Sequence, residues 1–244
     1  MANIEALPEQ VLLKILSYIP AGELVLTCRL VCQHWKKLVD RRDIKVQHKR
    51  SLRLKKKEYQ GTVYYCTSAI KNLIKNPCGE EEFAFWELTS NGGDRWKVED
   101  FPKDFRKPFP NPEIQKYFVT SYGWCEKSQL INLISEGFEA EILDNIQPPI
   151  TVRDWYAGRH DCGFEYELHV ELLSEDMSKI QEYKTDKIRG PQWNDAKWRE
   201  VSNTFTNYGP GVRYVKFTHG GKDSKWWAGW YGSRVTNSSV TIEQ

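Results

Sequence analysis

The chain has 244 residues, 40% hydrophobic and 28% charged, a balance that excludes wholesale disorder and fits one large domain or one medium and one small. No apolar run approaches the ~20 residues of a membrane helix, and MANIEALPEQ has no basic start followed by an apolar stretch, which leaves the cytosol or nucleus as the default compartment. The net charge of +2 conceals an asymmetry: residues 1–57 hold 13 Lys/Arg against 5 Asp/Glu, while the remainder holds 22 against 28. Nine of the ten tryptophans lie beyond residue 57, so two compositions, and two domains, share the chain.

Residues 7–19, LPEQVLLKILSYI, predict a helix. Pro8 suits a first helical position, Glu9 complements the helix dipole, and the apolar residues at 11, 12, 15, 16 and 19 share one face. Pro20 ends it. A second pattern runs from Ala21 through Leu24, Leu26, Cys28, Leu30, Val31, Trp35, Leu38 and Val39, and reads as two short helices with a bend. Some forty residues are too few for a comfortable core of their own. Either this stretch packs onto the larger domain, or a partner protein completes it, helix against groove.

From Arg41 to Lys57 there are nine Lys/Arg and one acid, with no interleaved aromatic. Such runs can neutralise phosphates, but at a domain junction this one reads as a solvated linker rather than a nucleic-acid site. In YQGTVYYCTSAIKNLIKN (59–76), Ile70, Leu73 and Ile74 have helical spacing, and Pro77 and Gly79 end the predicted helix.

From Phe83 the chain reads as short strands separated by turns. FAFWEL (83–88) precedes the turn NGGD, and KYFVTSY (116–122) is strand-like. TVRDWYA (151–157) sets Val152, Asp154 and Tyr156 on one face, and FEYELHVELL (164–173) alternates cleanly. REVSNTFTNY (199–208), VRYVKFTHGG (212–221) and SRVTNSSVTIEQ (233–244) complete the set, with one helix predicted at SQLINLISEGF (128–138). The pattern predicts an antiparallel β-sandwich or jelly roll behind a small helical domain, an α+β chain of two domains.

Within that frame, KWWAGWYG (225–232) lies in a glycine-bounded loop between two strands. Trp226 and Trp227 are neighbours, so in a strand they would face opposite ways. A loop tip instead leaves both indoles open, with Trp230 and Tyr231 turning back toward the core. A pyranose offers a flat C–H face to an indole and a rim of hydroxyls to acidic and amide groups, so sugar is one ligand class for such a loop. The bland alternative is that one indole is simply core.

Other chemistry is thin. Cys28, Cys32, Cys66, Cys78, Cys125 and Cys162 form no CxxC pair and read as small buried hydrophobes, not zinc ligands. Five scattered histidines give no metal spacing, and no Ser/His/Asp or Cys/His constellation is visible. No catalytic residue, metal or cofactor is assigned. The sequon Asn237-Ser238-Ser239 would permit glycosylation of an exported chain, but it falls in a predicted strand.

LPEQVLLKILSYIP followed by LVLTCRLVCQHWKKLVD resembles an F-box motif. The resemblance implies docking onto the SKP-type adaptor of a cullin–RING (SCF) ubiquitin ligase through Leu7, Pro8, Ile15, Leu16, Leu26, Val31 and Trp35. FAFWELTSNGGDRWKVED, KYFVTSYGWCEKSQLINLISEGF, VRDWYAGRHDCG and YGPGVRYVKFTHGGKDSKWWAGWYGSRVTNSSV closely resemble the F-box-associated (FBA) domain of sugar-recognising F-box proteins. That implies a jelly-roll, galactose-binding-like sandwich reading the inner chitobiose core of high-mannose N-glycans. It also implies misfolded glycoproteins as partners, met at the cytosolic face of the endoplasmic reticulum and sent for degradation, with neither nucleic acid nor membrane insertion involved. Carried across, the glycan residues are Tyr122, Asp161, Trp226 and Trp227; Ala228 stands where strong binders carry a lysine. The implied division is an F-box domain at 1–47, a basic linker and start of a connecting helix at 48–71, and an FBA sandwich at 72–244.

Overall fold

The computed structural model describes residues 71–101 and 109–242, together with Leu12 and the strands β1 (Lys57–Tyr59) and β2 (Thr62–Tyr64). The chain divides into two compact units, Met1–Lys71 and Asn72–Glu243. In the first, β1 and β2 pair antiparallel, and Leu12 is helical and buried. The seven residues expected to contact the adaptor lie outside the described residues, as does the basic run up to residue 56.

The second unit is a sandwich of two antiparallel sheets. One contains β3 (Glu87–Asn91), β6 (Cys125–Asn132), β8 (Phe164–Leu173), β9 (Lys179–Lys184), β10 (Ile188–Gly190) and β12 (Tyr214–Asp223). Its order is β10-β8-β12-β6-β3, with β9 also paired to β8. The other contains β4 (Lys97–Asp100), β5 (Lys116–Val119), β7 (Ile150–Ala157), β11 (Arg199–Phe205) and β13 (Arg234–Ile242), in the order β11-β7-β13-β5-β4. A six-residue helix, α1 (Ala140–Asn145), lies on the path from β6 to β7.

Period-two patterning builds the core. In β8, Phe164, Tyr166, Leu168, Val170 and Leu172 face inward, and in β7 Ile150, Val152, Asp154 and Tyr156 do so. Each buried Val, Leu or Phe contributes about 1.5–3 kcal/mol relative to exposure. Aromatic packing adds geometry: Trp86 meets Phe118 and Phe217 edge-on, and Tyr156 stacks on Tyr166 with centroids 4.6 Å apart. Cys78, Cys125 and Cys162 are buried free thiols, pushed up in pKa by burial, Cys162 to about 11, so they stay protonated and inert.

The core is not wholly apolar. Asp154 on β7 accepts hydrogen bonds from Tyr166 (2.6 Å), His219 (2.6 Å) and Ser238 (2.8 Å), joining strands of both sheets. Ser238 faces inward because β13 bulges between Thr236 and Ser239, where Asn237 adopts a φ of 52°. The central serine of the sequon is thus part of the interior.

Three sequence expectations fail locally. SQLINLISEGF is not a helix; its first half is β6, and the chain turns at 133–137. Lys127 and Gln129 share the inward side of β6 with Cys125 and Ile131, whereas Leu130 and, beyond the strand, Ile134 point outward, so apolar residues lie on both sides and mimic a helical spacing. No helix forms at 71–76, where Leu73 and Ile74 are buried on an irregular segment. Asn72 explains that: its side chain accepts from the amides of Ile74 and Val240 and donates to Ser238 O, and the Leu73 amide bonds Val240 O, so this segment is stitched to β13. The strand expected at 83–88 begins at Glu87, because 80–85 form turns closed by Asn76.

Candidate functional site

Register decides where the loops go. Asn91 pairs with Cys125, Cys125 with Gly221, and Asp223 with Phe164, which also pairs with Gly190. In the other sheet Lys97 pairs with Val119, Val119 with Arg234, Arg234 with Ala157, and Tyr156 with Arg199. All five connections that cross between sheets from these positions therefore emerge at one end: 92–96, 120–124, 158–163, 191–198 and 224–233. The aromatic loop and the other residues expected at the site fall on three of the five.

The 224–233 loop is anchored at its base. Buried Asp223 accepts the amides of Lys225 and Trp226 on Oδ1, at 2.7 and 2.6 Å. The Ser224 amide donates to Gly163 O, and the Gly232 amide to Thr120 O. Gly229 is gripped from both sides: its amide donates to Asp94 (2.6 Å), and its carbonyl accepts from Ser121 Oγ (2.8 Å), which also accepts the Asp94 amide. Trp230 donates its indole N–H to Arg95 O, under the ammonium of Lys97 at 4.3 Å.

What remains above this base is aromatic and open. Trp226 is 68% exposed and Trp227 39% exposed, so neither is sealed in the core. Trp226 sits at a φ of 58°, unusual for a bulky residue, with Lys222 4.9 Å from its ring. Trp227 meets Tyr231 edge-on at 5.6 Å. The guanidinium of Arg159 lies 4.3 Å over the Tyr231 ring and forks onto Asp161, at 3.0 and 3.1 Å. Asp161 is thereby joined to Trp227 through two intermediaries, and Arg159 holds its carboxyl below the usual carboxylate range. An anionic, half-exposed Asp161 retains free lone pairs that can accept hydroxyl or amide hydrogens.

Tyr122 is half-buried on the 120–124 loop, beside Gly93. Gly123 is required there, because a Cβ on it would run into the Gly93 amide nitrogen; the 92–96 and 120–124 loops cross backbone to backbone. The four expected residues thus lie on three loops of one end, Asp161 and Trp227 linked by the Tyr231–Arg159 contact. Sequence reasoning did not single out Arg159, Asp94 or Asp223. Asp161 two residues after Arg159 was the available signal for the first; nothing local marks the other two, whose partners depend on which loops meet.

Residues 64–242 match the family model described as the F-box associated region, and residues 4–44 match an F-box-like model. The chain belongs to the F-box proteins that carry an F-box-associated domain. F-box only protein 44 of Homo sapiens is 48% identical over 250 residues, covering 99% of this chain and 97% of that protein. F-box only protein 6 of Rattus norvegicus is 45% identical, with 99% and 87% covered, and F-box only protein 2 of Bos taurus 43% identical, with 99% and 84% covered. The sandwich and its five crossing loops are this chain's FBA region. Among the described residues no helix is long and apolar enough to cross a membrane.

Proposed function

We propose that this F-box protein is a non-catalytic substrate adaptor of a cullin–RING (SCF) ubiquitin ligase, whose FBA sandwich binds the inner chitobiose core of high-mannose N-glycans. The F-box at 1–47 docks the SKP-type adaptor, 48–71 is the connection, and 72–244 takes the glycoprotein. Partners carry out ubiquitin transfer. The clients are misfolded glycoproteins, met in the cytoplasm at the face of the endoplasmic reticulum.

The observation that carries the sugar half is the exposed Trp226–Trp227 pair on a loop fixed at both ends, coupled through Tyr231 and Arg159 to an ionised Asp161. A rigid loop loses little entropy on binding. In this reading Trp227 stacks on a sugar face, Trp226 and Tyr122 wall the site, and Asp161 accepts hydroxyl or N-acetyl hydrogens. A core hidden against the surface of a folded glycoprotein becomes accessible when that glycoprotein unfolds, which suits quality control. Ala228, exposed between the tryptophans and Gly229, supplies no charged donor and favours a second reading, in which the same loop recognises a protein surface.

The test uses the full chain on chitobiose and high-mannose resins. Trp227→Ala should abolish retention on both resins while capture of the SKP-type adaptor is unchanged. Retention of the variant at the wild-type level would place the site elsewhere. Absence of wild-type retention would leave the protein-surface reading.

A further inference from the structure

Trp226 has a counterpart on a different loop. Trp193, on the 191–198 connection between β10 and β11, is 67% exposed and has a φ of 64°. The left-handed region costs a non-glycine residue roughly 1–2 kcal/mol. Neither burial nor backbone preference calls for tryptophan there, and both features repeat those of Trp226.

The ring is presented from a fixed base. Trp193 meets the imidazole of His160 edge-on at 5.7 Å. His160 donates through Nδ1 to Asn194 O, and the Asn194 amide group reaches back to the carbonyls of Arg159, Cys162 (3.0 Å) and Pro191 (2.9 Å). Asn194 Oδ1 also accepts the Ala196 amide at 2.8 Å. One side chain thus clamps the 191–198 loop onto the 158–163 loop, the loop that carries Asp161. One set of contacts leads from Trp227 through Tyr231 and Arg159 to Asp161, and a second, from His160 on the same 158–163 loop, leads to Trp193.

We propose that Trp193 and His160 form a second carbohydrate subsite, where the 191–198 loop is clamped onto the loop that carries Asp161, so that the ligand is an oligosaccharide longer than a disaccharide. This rests on the glycan reading of the loop end. Trp193 supplies a stacking face, and His160, whose Nδ1 is taken up by Asn194 O, leaves Nε2 for a sugar hydroxyl. A ligand confined to chitobiose occupies the Trp227 side alone; one carrying further mannoses reaches Trp193.

Calorimetric titration of the full chain with chitobiose and with a released high-mannose glycan tests this on wild type, Trp193→Gly, Trp193→Phe and Trp227→Ala. Glycine is at ease at a positive φ, so Trp193→Gly should melt no lower than wild type. Its affinity for chitobiose should stay within about twofold, while its affinity for the longer glycan falls about three- to tenfold, the worth of one aromatic contact. Trp193→Phe should retain most of the difference, and Trp227→Ala should lose both ligands. If Trp193→Gly binds both ligands as wild type does while Trp227→Ala binds neither, the subsite is refuted and the glycan reading stands. An equal loss of both ligands in Trp193→Gly would make Trp193 part of the first site and likewise refute a second. A wild-type chain that binds neither sugar removes both proposals.

Discussion

At the scale of single residues, Lys127 is a costly side chain for the sandwich to bury. It is fully buried on β6, its ammonium has no hydrogen-bond partner among the described residues, and it lies 3.1 Å from the centroid of Trp86 and 3.7 Å from that of Phe118. A desolvated cation–π contact is worth about 2 kcal/mol, whereas burying an ion costs several, so desolvation wins. Burial drives the Lys127 pKa well below its ordinary value, with only partial compensation from Asp154. Burial likewise lowers His219, against the pull of the same carboxylate. In both cases the unfolded chain binds the proton more tightly than the folded one. Stability therefore falls as pH drops from the free-lysine value toward the folded pKa of Lys127, and falls again below about 6.5 as unfolded His219 protonates. Lys127→Met, which keeps the volume, should stabilise the protein by about 1–4 kcal/mol at neutral pH and flatten the alkaline side of the profile. Urea unfolding from pH 5 to 10 measures both. A variant less stable than wild type at pH 7 would mean that the rings hold Lys127 charged at a net gain.

At the scale of elements, strands whose inner face is apolar were readable and those with a polar inner face were not. FEYELHVELL became β8 with its boundaries intact, and TVRDWYA became all but the first residue of β7, because their alternation reports burial directly. β6 was misread as a helix because Lys127 and Gln129 occupy the inner positions while Leu130 is outside. The segment at 72–76 failed for another reason: the hydrogen bonds of Asn72 and Leu73 run to β13, at a sequence separation of more than 160 residues, and those of Lys75 run to Gln129 on β6. No local periodicity encodes a partner so distant. Here Asn72 does the work of a strand neighbour, since β13 pairs with β5 only at Arg234 and Val235 before the bulge. Asn72→Ala removes the acceptor for two amides, Ile74 and Val240, and the donor to Ser238 O. Leaving buried amides unpaired costs about 1–3 kcal/mol apiece. Thermal unfolding of this variant should show a clear drop, and hydrogen exchange should quicken at Val240. A melting temperature within error of wild type would show that the bulge is held by its own ladder.

At the scale of the whole molecule, the division into two units was foreshadowed by composition, since charge sign and tryptophan content both change near residue 57. The site was legible only in part. An adjacent tryptophan pair bounded by glycines marks an exposed loop on its own, but the Arg159–Tyr231 bridge and the Trp193 platform exist only because five crossings emerge at one end of the sandwich. That end is assembled by the Asn72–Glu243 unit from its own strands and loops. The two recognition tasks should therefore separate by mutation in both directions. Trp227→Ala tests one direction; Leu16→Asp, at one of the apolar positions of the helix expected over 7–19, tests the other. The Leu16 variant of the full chain should lose capture of the SKP-type adaptor, because a carboxylate in an apolar groove goes unpaired. Its retention on high-mannose resin should match wild type. A parallel fall in glycan retention, with the sandwich still melting normally, would mean that the F-box unit shapes the loop end of the sandwich and that the two ends work as one.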